Sequence, residues 1–121
     1  MMFRPLIGNQ FKTGGKVSDV AAGNTAVVFS EALRRPGSAI VLLSCSLTTF
    51  PEDFEPHSME ILANGVTIFD AILDYNMFMT DIPLPWLRVD SPGAITMTAT
   101  NGHATNPTSF AGMVRGYYVA A

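Results

Sequence analysis

Between positions 95 and 100 apolar and polar residues alternate without a break. Ile95, Met97 and Ala99 fall on one side and Thr96, Thr98 and Thr100 on the other, the pattern of a strand with one covered face. Upstream, "TAVVFS" (25–30) is a β-branched and aromatic run that predicts a first strand. "RRPG" (34–37) predicts a turn, and "SAIVLLSCSLTT" (38–49) a long strand. That strand is continuously apolar in its first half, as for a segment covered on both faces, and alternating in its second. "FPEDFEPHS" reads as a loop bounded by prolines. In "MEILANGVTIF" two apolar runs meet at Asn64-Gly65, a pair suited to tight hairpins because both positions tolerate positive φ. "DAILDYNMFMTD" carries two patterns: Asp70, Asp74, Ile72 and Leu73 suit a short helix, while Phe69, Ala71, Leu73 and Tyr75 alternate. The flanking β signals favour a strand followed by a bend.

Pro83 and Pro85 in "IPLPWLRVD" place that segment at a sheet edge or in a connection, because proline has no ladder donor. Pro92-Gly93 predicts a turn, "GHATNPTS" a loop, and "FAGMVRGYYV" a last strand. In that strand Phe110, Val114 and Tyr118 share a face, and Gly112 and Gly116 leave room for a close approach. A faint echo links "RPGSAIVLLSCSLTT" with "SPGAITMTATN": proline-glycine, a small residue, then a strand ending in Ser or Thr. Residues 1–24 show no sustained period and contain Gly14, Gly15, Gly23 and both lysines, Lys12 and Lys16. They predict an extended N-terminal arm with a short strand near 3–7. Residues 25–121 then form a single domain. Short strands at intervals near ten residues predict an all-β antiparallel sandwich of jelly-roll type.

Composition sharpens the picture. The length of 121 residues suits one domain with a real core. Charged residues make up 14% of the chain, against roughly 25% in an average soluble domain. A net charge of −3 argues against a nucleic-acid partner, which would require a basic face. No apolar run is long enough for a signal peptide or a membrane span, so assembly in a cytoplasm without a membrane partner is expected. The single cysteine, Cys45, excludes an intramolecular disulfide and a cysteine metal site, and its apolar surroundings predict a buried thiol.

Candidate chemistry is sparse. His57 lies near Glu52, Asp53, Glu55 and Glu60, donors of the kind that hold a divalent ion. Their spacing fits no known metal-site pattern, and a solvated loop is the simpler reading. His103 reads as a surface-loop histidine. Ser44 and Ser46 flank Cys45 in a strand rather than at a nucleophile elbow. Asp70 and Asp74 could serve a glycosidase, but so small a domain rarely encloses such a site. A cupin-like metal enzyme would need more histidines than His57 and His103. The expectation is therefore a protein without enzyme activity, metal or cofactor. Trp86 and Tyr75, with Tyr117 and Tyr118, offer an alternative sugar platform, although a core or interface anchor is the favoured role for Trp86.

The distribution of charge says more. Residues 52–90 hold eight acidic residues against Arg88, a net of −7, while the rest of the chain carries +4. No lysine follows Lys16. Natural sheets commonly guard their edges with lysine, so neighbouring subunits are expected to cover the edges here.

The segment "LRVDSPGAITMTATNGHATNPTSFAGMVRGYYV" (87–119) resembles the ending of small jelly-roll virion proteins of tailed bacteriophages, which decorate or cement the capsid or form short spikes. The shared features are Pro92-Gly93, the alternating strand 94–101, the neutral loop, and Gly116-Tyr117-Tyr118. The resemblance implies a jelly roll, no enzyme activity, and a homotrimer seated on the major capsid protein of a virion. Lys12 and Lys16 of the arm would then contact the shell. Thr96, Thr98, Thr100, Phe110, Tyr117 and Tyr118 would lie at or beside a subunit interface, since a neutral hydroxyl face can be covered without stranding an ion. The competing expectation is a carbohydrate- or receptor-binding jelly-roll module of a spike or fibre.

Overall fold

A computed structural model describes residues 10–50, 55–73 and 82–120. These residues form six strands: β1 (Gln10–Val20), β2 (Thr25–Phe50), β3 (His57–Ala63), β4 (Val66–Leu73), β5 (Ile82–Thr100) and β6 (Thr108–Ala120). Every pairing is antiparallel, in the order β1-β6-β2-β5-β3-β4. The fold is all-β, and no helix occurs among the described residues.

Two strands are unusually long, β2 with 26 residues and β5 with 19, where five or six is typical. Both turn a corner at the same place. The β2–β5 register breaks between Leu33 and Ser38, opposite Gly93 and Ser91. Each corner carries a proline-glycine pair: Gly37 has φ of 69°, and the Ser91-Pro92 peptide bond is cis. The two Pro-Gly motifs that echo each other in sequence are thus partners in space. The turns expected at 34–37 and 92–93 do not end their strands but bend them.

The corners divide the six strands into eight segments and two four-stranded halves. In one half, β4, β3, residues 94–100 of β5 and residues 25–33 of β2 lie side by side. In the other, residues 82–91 of β5, residues 38–50 of β2, β6 and β1 do so. Numbered along the chain, the segments run 5-4-7-2 and 6-3-8-1, an interleaving compatible with the expected jelly roll. The halves enclose one core that includes Phe29, Ile40, Leu42, Leu47, Met59, Ile61, Ile95, Met97, Phe110 and Val114. Gly112 of β6 permits the halves to meet, since a Cβ there would run into Met97 and Val28 of the opposite half.

The expected arm is corrected over most of its described length. Gln10–Val20 is a strand paired with β6 from Gln10↔Tyr117 to Val20↔Thr108, and Phe11 and Val20 enter the core. Gly14 and Gly15 weaken the local strand signal, yet close packing requires them. A Cβ on Gly14 would lie 2.6 Å from the Gly112 carbonyl, and one on Gly15 2.9 Å from the Val28 carbonyl. The short strand expected near 3–7 falls outside the described residues, as does Tyr75. The Asn64-Gly65 hairpin forms as expected, with φ of 52° and 81°.

Candidate functional surfaces

The alternation at 94–101 sorts its residues as expected. Ile95, Met97 and Ala99 are fully buried, and the threonines lie on the outer face. Hydroxyls there bond across strands: Thr25 to Thr100 at 2.6 Å and Ser30 to Thr96 at 3.0 Å. Thr98 sits between Val27 of β2 and Glu60 of β3, and Glu60 in turn lies directly opposite Asp70 of β4. The outer face of this half therefore passes from neutral hydroxyls to a pair of exposed carboxylates. Glu60 accepts a hydrogen bond from the Thr67 hydroxyl at 3.1 Å. A shallow groove of roughly 470 Å³ runs past Ser58, Glu60, Asp70 and Ile72, with Ile72 73% exposed.

The outer face of the other half is basic. Lys12 and Lys16 project from β1, and Lys12 lies directly opposite Arg115 of β6. The Arg115 Nε donates to the Ser44 hydroxyl at 3.3 Å. Lys12, Arg115, Ser44, Leu43 and Tyr117 line a groove of roughly 440 Å³. Further along, Arg88 is paired with Asp90 at 3.1 Å. Exposed apolar side chains border this face at Leu43, Phe50 and Trp86.

The expected interface set divides. Lys12, Lys16, Thr96, Thr98 and Thr100 lie on outer faces, while Phe110 is fully buried and packs edge-on to the His57 ring, 5.2 Å between centroids. Phe110 is thus a core residue, placed inward by the alternation of β6. Tyr117 is only 4% exposed, and among the described residues its hydroxyl has no hydrogen-bond partner. Tyr118 is half-buried between the Phe11 ring and the Arg35 guanidinium, the latter 5.0 Å from its centroid. Trp86 is exposed rather than in the core. It adopts φ of 53° and stands edge-on to Tyr117 at 6.5 Å.

The polar groups drawn into the interior serve the fold. His57 is buried and its Nδ1 accepts the Gly102 N–H at 3.0 Å. Among the described residues no three His, Cys, Asp or Glu side chains group as a metal site would require. Ser44 faces Arg115, and Cys45 is buried, as its apolar run predicts. Sequence reasoning overlooked Asn101, whose fully buried amide donates to the Val20 and Asn106 carbonyls and accepts the His103 N–H. Its position at the end of an alternating strand, just before Gly102, was the available signal.

These surfaces belong to an all-β antiparallel fold, compatible with a sandwich, whose two halves differ in charge among the described residues. No protein-family model and no curated protein matches the chain. Among solved structures, an insecticidal delta-endotoxin from Bacillus thuringiensis shares 4% identity and a TM-score of 0.47, over 84% of this chain and 19% of that one. An acetyl xylan esterase from Butyrivibrio proteoclasticus shares 13% identity and a TM-score of 0.33, over 93% of this chain and 34% of that one. The structure of infectious bursal disease virus, Gx strain, shares 12% identity and a TM-score of 0.35, over 93% of this chain and 29% of that one. The chain spans well under half the length of each.

Proposed function

We propose that this chain is a non-enzymatic structural protein of a virion, a decoration or cement subunit that assembles with copies of itself on a phage head shell. The observation that supports this reading is the division of its surface: carboxylates and hydroxyls on one sheet face, lysines and arginine on the other, both bordered by exposed apolar side chains. Exposed apolar groups beside exposed polar and charged side chains are features of a contact surface. The resemblance of residues 87–119 to phage virion proteins agrees with it. Light scattering at micromolar concentration tests the reading. A compact species near 39 kDa, three times the 13.0 kDa chain, is the expected result. A clean 13.0 kDa monomer at every concentration would overturn it.

One observation favours a second reading, a carbohydrate- or receptor-binding module. Trp86 holds an exposed ring beside Tyr117 in a backbone conformation that side chains rarely adopt, and such departures cluster at binding sites. A glycan array separates the readings: binding lost on Trp86→Ala supports the module, and no binding leaves assembly as the function.

A further inference from the structure

We infer that residues 102–106, in the loop between β5 and β6, form a latch that acid releases, with His103 as its trigger and His57 as its catch. The device belongs to the isolated chain and goes beyond any role in assembly.

Three observations carry the inference. First, the loop is held by imidazole nitrogens that act as acceptors. The His103 Nδ1 accepts the N–H groups of Thr105 at 3.1 Å and Asn106 at 3.0 Å. The His57 Nδ1 accepts the Gly102 N–H at 3.0 Å. A backbone N–H only donates, so each Nδ1 presents a lone pair, and both rings are neutral while the loop is closed. Second, the chain has two histidines, and both are committed to this one short segment. Third, the loop is seated tightly against β3. A Cβ on Gly102 would collide with the Pro56 carbonyl and lie 3.5 Å from the His57 Cα.

A proton on Nδ1 turns that acceptor into a donor and sets N–H against N–H. The loop then loses the Thr105 and Asn106 bonds together. His103 is half-buried and meets protons first, whereas His57 is 1% exposed and takes its proton once Gly102 lifts away. Release stops at both ends of the loop. Asn101 stays tied to the Val20 carbonyl and to Gly23 and Asn24, and β6 begins at Thr108.

His103 bonds to Asn101, Thr105 and Asn106, all uncharged. Charged side chains on the surrounding elements are Lys16 and Asp19 of β1, Glu55 and Glu60 at β3, Asp70 of β4 and Arg115 of β6. Glu60 and Asp70 lie on the outer face, opposite to that of His57. β2 carries no charge at 25–30 or 45–50, and β5 none at 91–100. The closed loop is therefore stable while the rings are neutral and loses that stability as pH falls and they gain protons.

Amide hydrogen exchange on the full chain, corrected for intrinsic exchange rates, tests the inference from about pH 8 to about pH 5, the span over which imidazoles change charge. Protection at Thr105 and Asn106 should fall about tenfold per pH unit once His103 binds its proton. Gly102 should follow, while Ile95 and Val114, buried in β5 and β6, keep theirs. In His103→Asn the side-chain oxygen can accept the same two N–H groups but gains no proton, so protection at 105 and 106 should stay level. Level protection in the wild type overturns the inference, and so does a wild-type slope in His103→Asn. Loss at Ile95 and Val114 in step with the loop also overturns it, in favour of acid unfolding of the whole fold. Ring nitrogen shifts of the wild type at about pH 8 give a check that needs no variant. Both histidines should show a bare Nδ1, and an Nδ1–H form of His103 overturns the inference.

Discussion

Asn101 shows how one side chain can join segments that are remote in sequence. Its amide bridges the Val20 and Asn106 carbonyls, each at 2.9 Å, and its carbonyl holds the His103 N–H at 2.8 Å. Its own backbone bonds Gly23 and Asn24 in the β1–β2 turn. Replacing it with alanine strands the buried Val20 carbonyl and two partly buried backbone groups, a buried one costing about 1–3 kcal/mol when unpaired. Asn101→Ala should therefore lower stability by about 3 kcal/mol, read as a drop in urea midpoint at unchanged slope. A shift under about 0.5 kcal/mol would show that water replaces the side chain's bonds. Asn101 was illegible in the sequence because Val20 lies 81 positions away. Asn64-Gly65 was legible because a tight turn is written in the two residues that make it. Phe110 occupies the middle ground: its alternation was visible, but not that its face pointed inward against His57.

Among the elements, β1 departs furthest from expectation. Glycines suppress the local strand signal, but β6 at Gly14 and residues 28–29 of β2 at Gly15 supply the constraint, leaving no room for a Cβ. Periodicity within one segment cannot report that constraint. The Pro-Gly corners were misjudged for a related reason. Whether such a pair reverses a chain or bends it depends on whether the flanking segments pair with each other or with a third strand, as both do here. The hairpin 57–73, the buried Cys45 strand and the edge position of Pro83 and Pro85 followed from local pattern alone. Because Phe11 and Val20 are buried, and each such side chain contributes about 1.5–3 kcal/mol, deleting residues 1–20 should cost about 3–6 kcal/mol. That is a large part of the 5–15 kcal/mol typical of a domain. Chemical denaturation should show a marginally stable or unfolded truncation. An unchanged midpoint would restore the segment to the status of a detachable arm.

At the scale of the molecule, the two halves share two continuous strands, so neither has a complete set of partners without the other. Opening should be a single event rather than the separate melting of two sheets. Cys45 reports on it: the thiol is 1% exposed and lies in β2, beyond the corner from residues 25–33. Its reaction with a thiol reagent across a urea series should follow the same midpoint as far-UV and fluorescence signals. Rapid labelling in native buffer would show that the half containing β6 opens on its own. At this scale the sequence carried the class of fold and the imbalance of charge, but not that Glu60 and Asp70 would meet on one half and Lys12 and Arg115 on the other. That division follows from the strand order, which joins segments far apart along the chain.

The shared corners also bear on load. A pull applied between the basic face and the acidic face does not have to cross the side-chain core. It can run along the covalent backbone of β2 and β5, each of which passes from one half to the other. Separating the halves therefore requires the strands themselves to peel from their partners, not only the packed side chains to part. Such a molecule behaves as a tether between its two faces rather than as two plates held by glue.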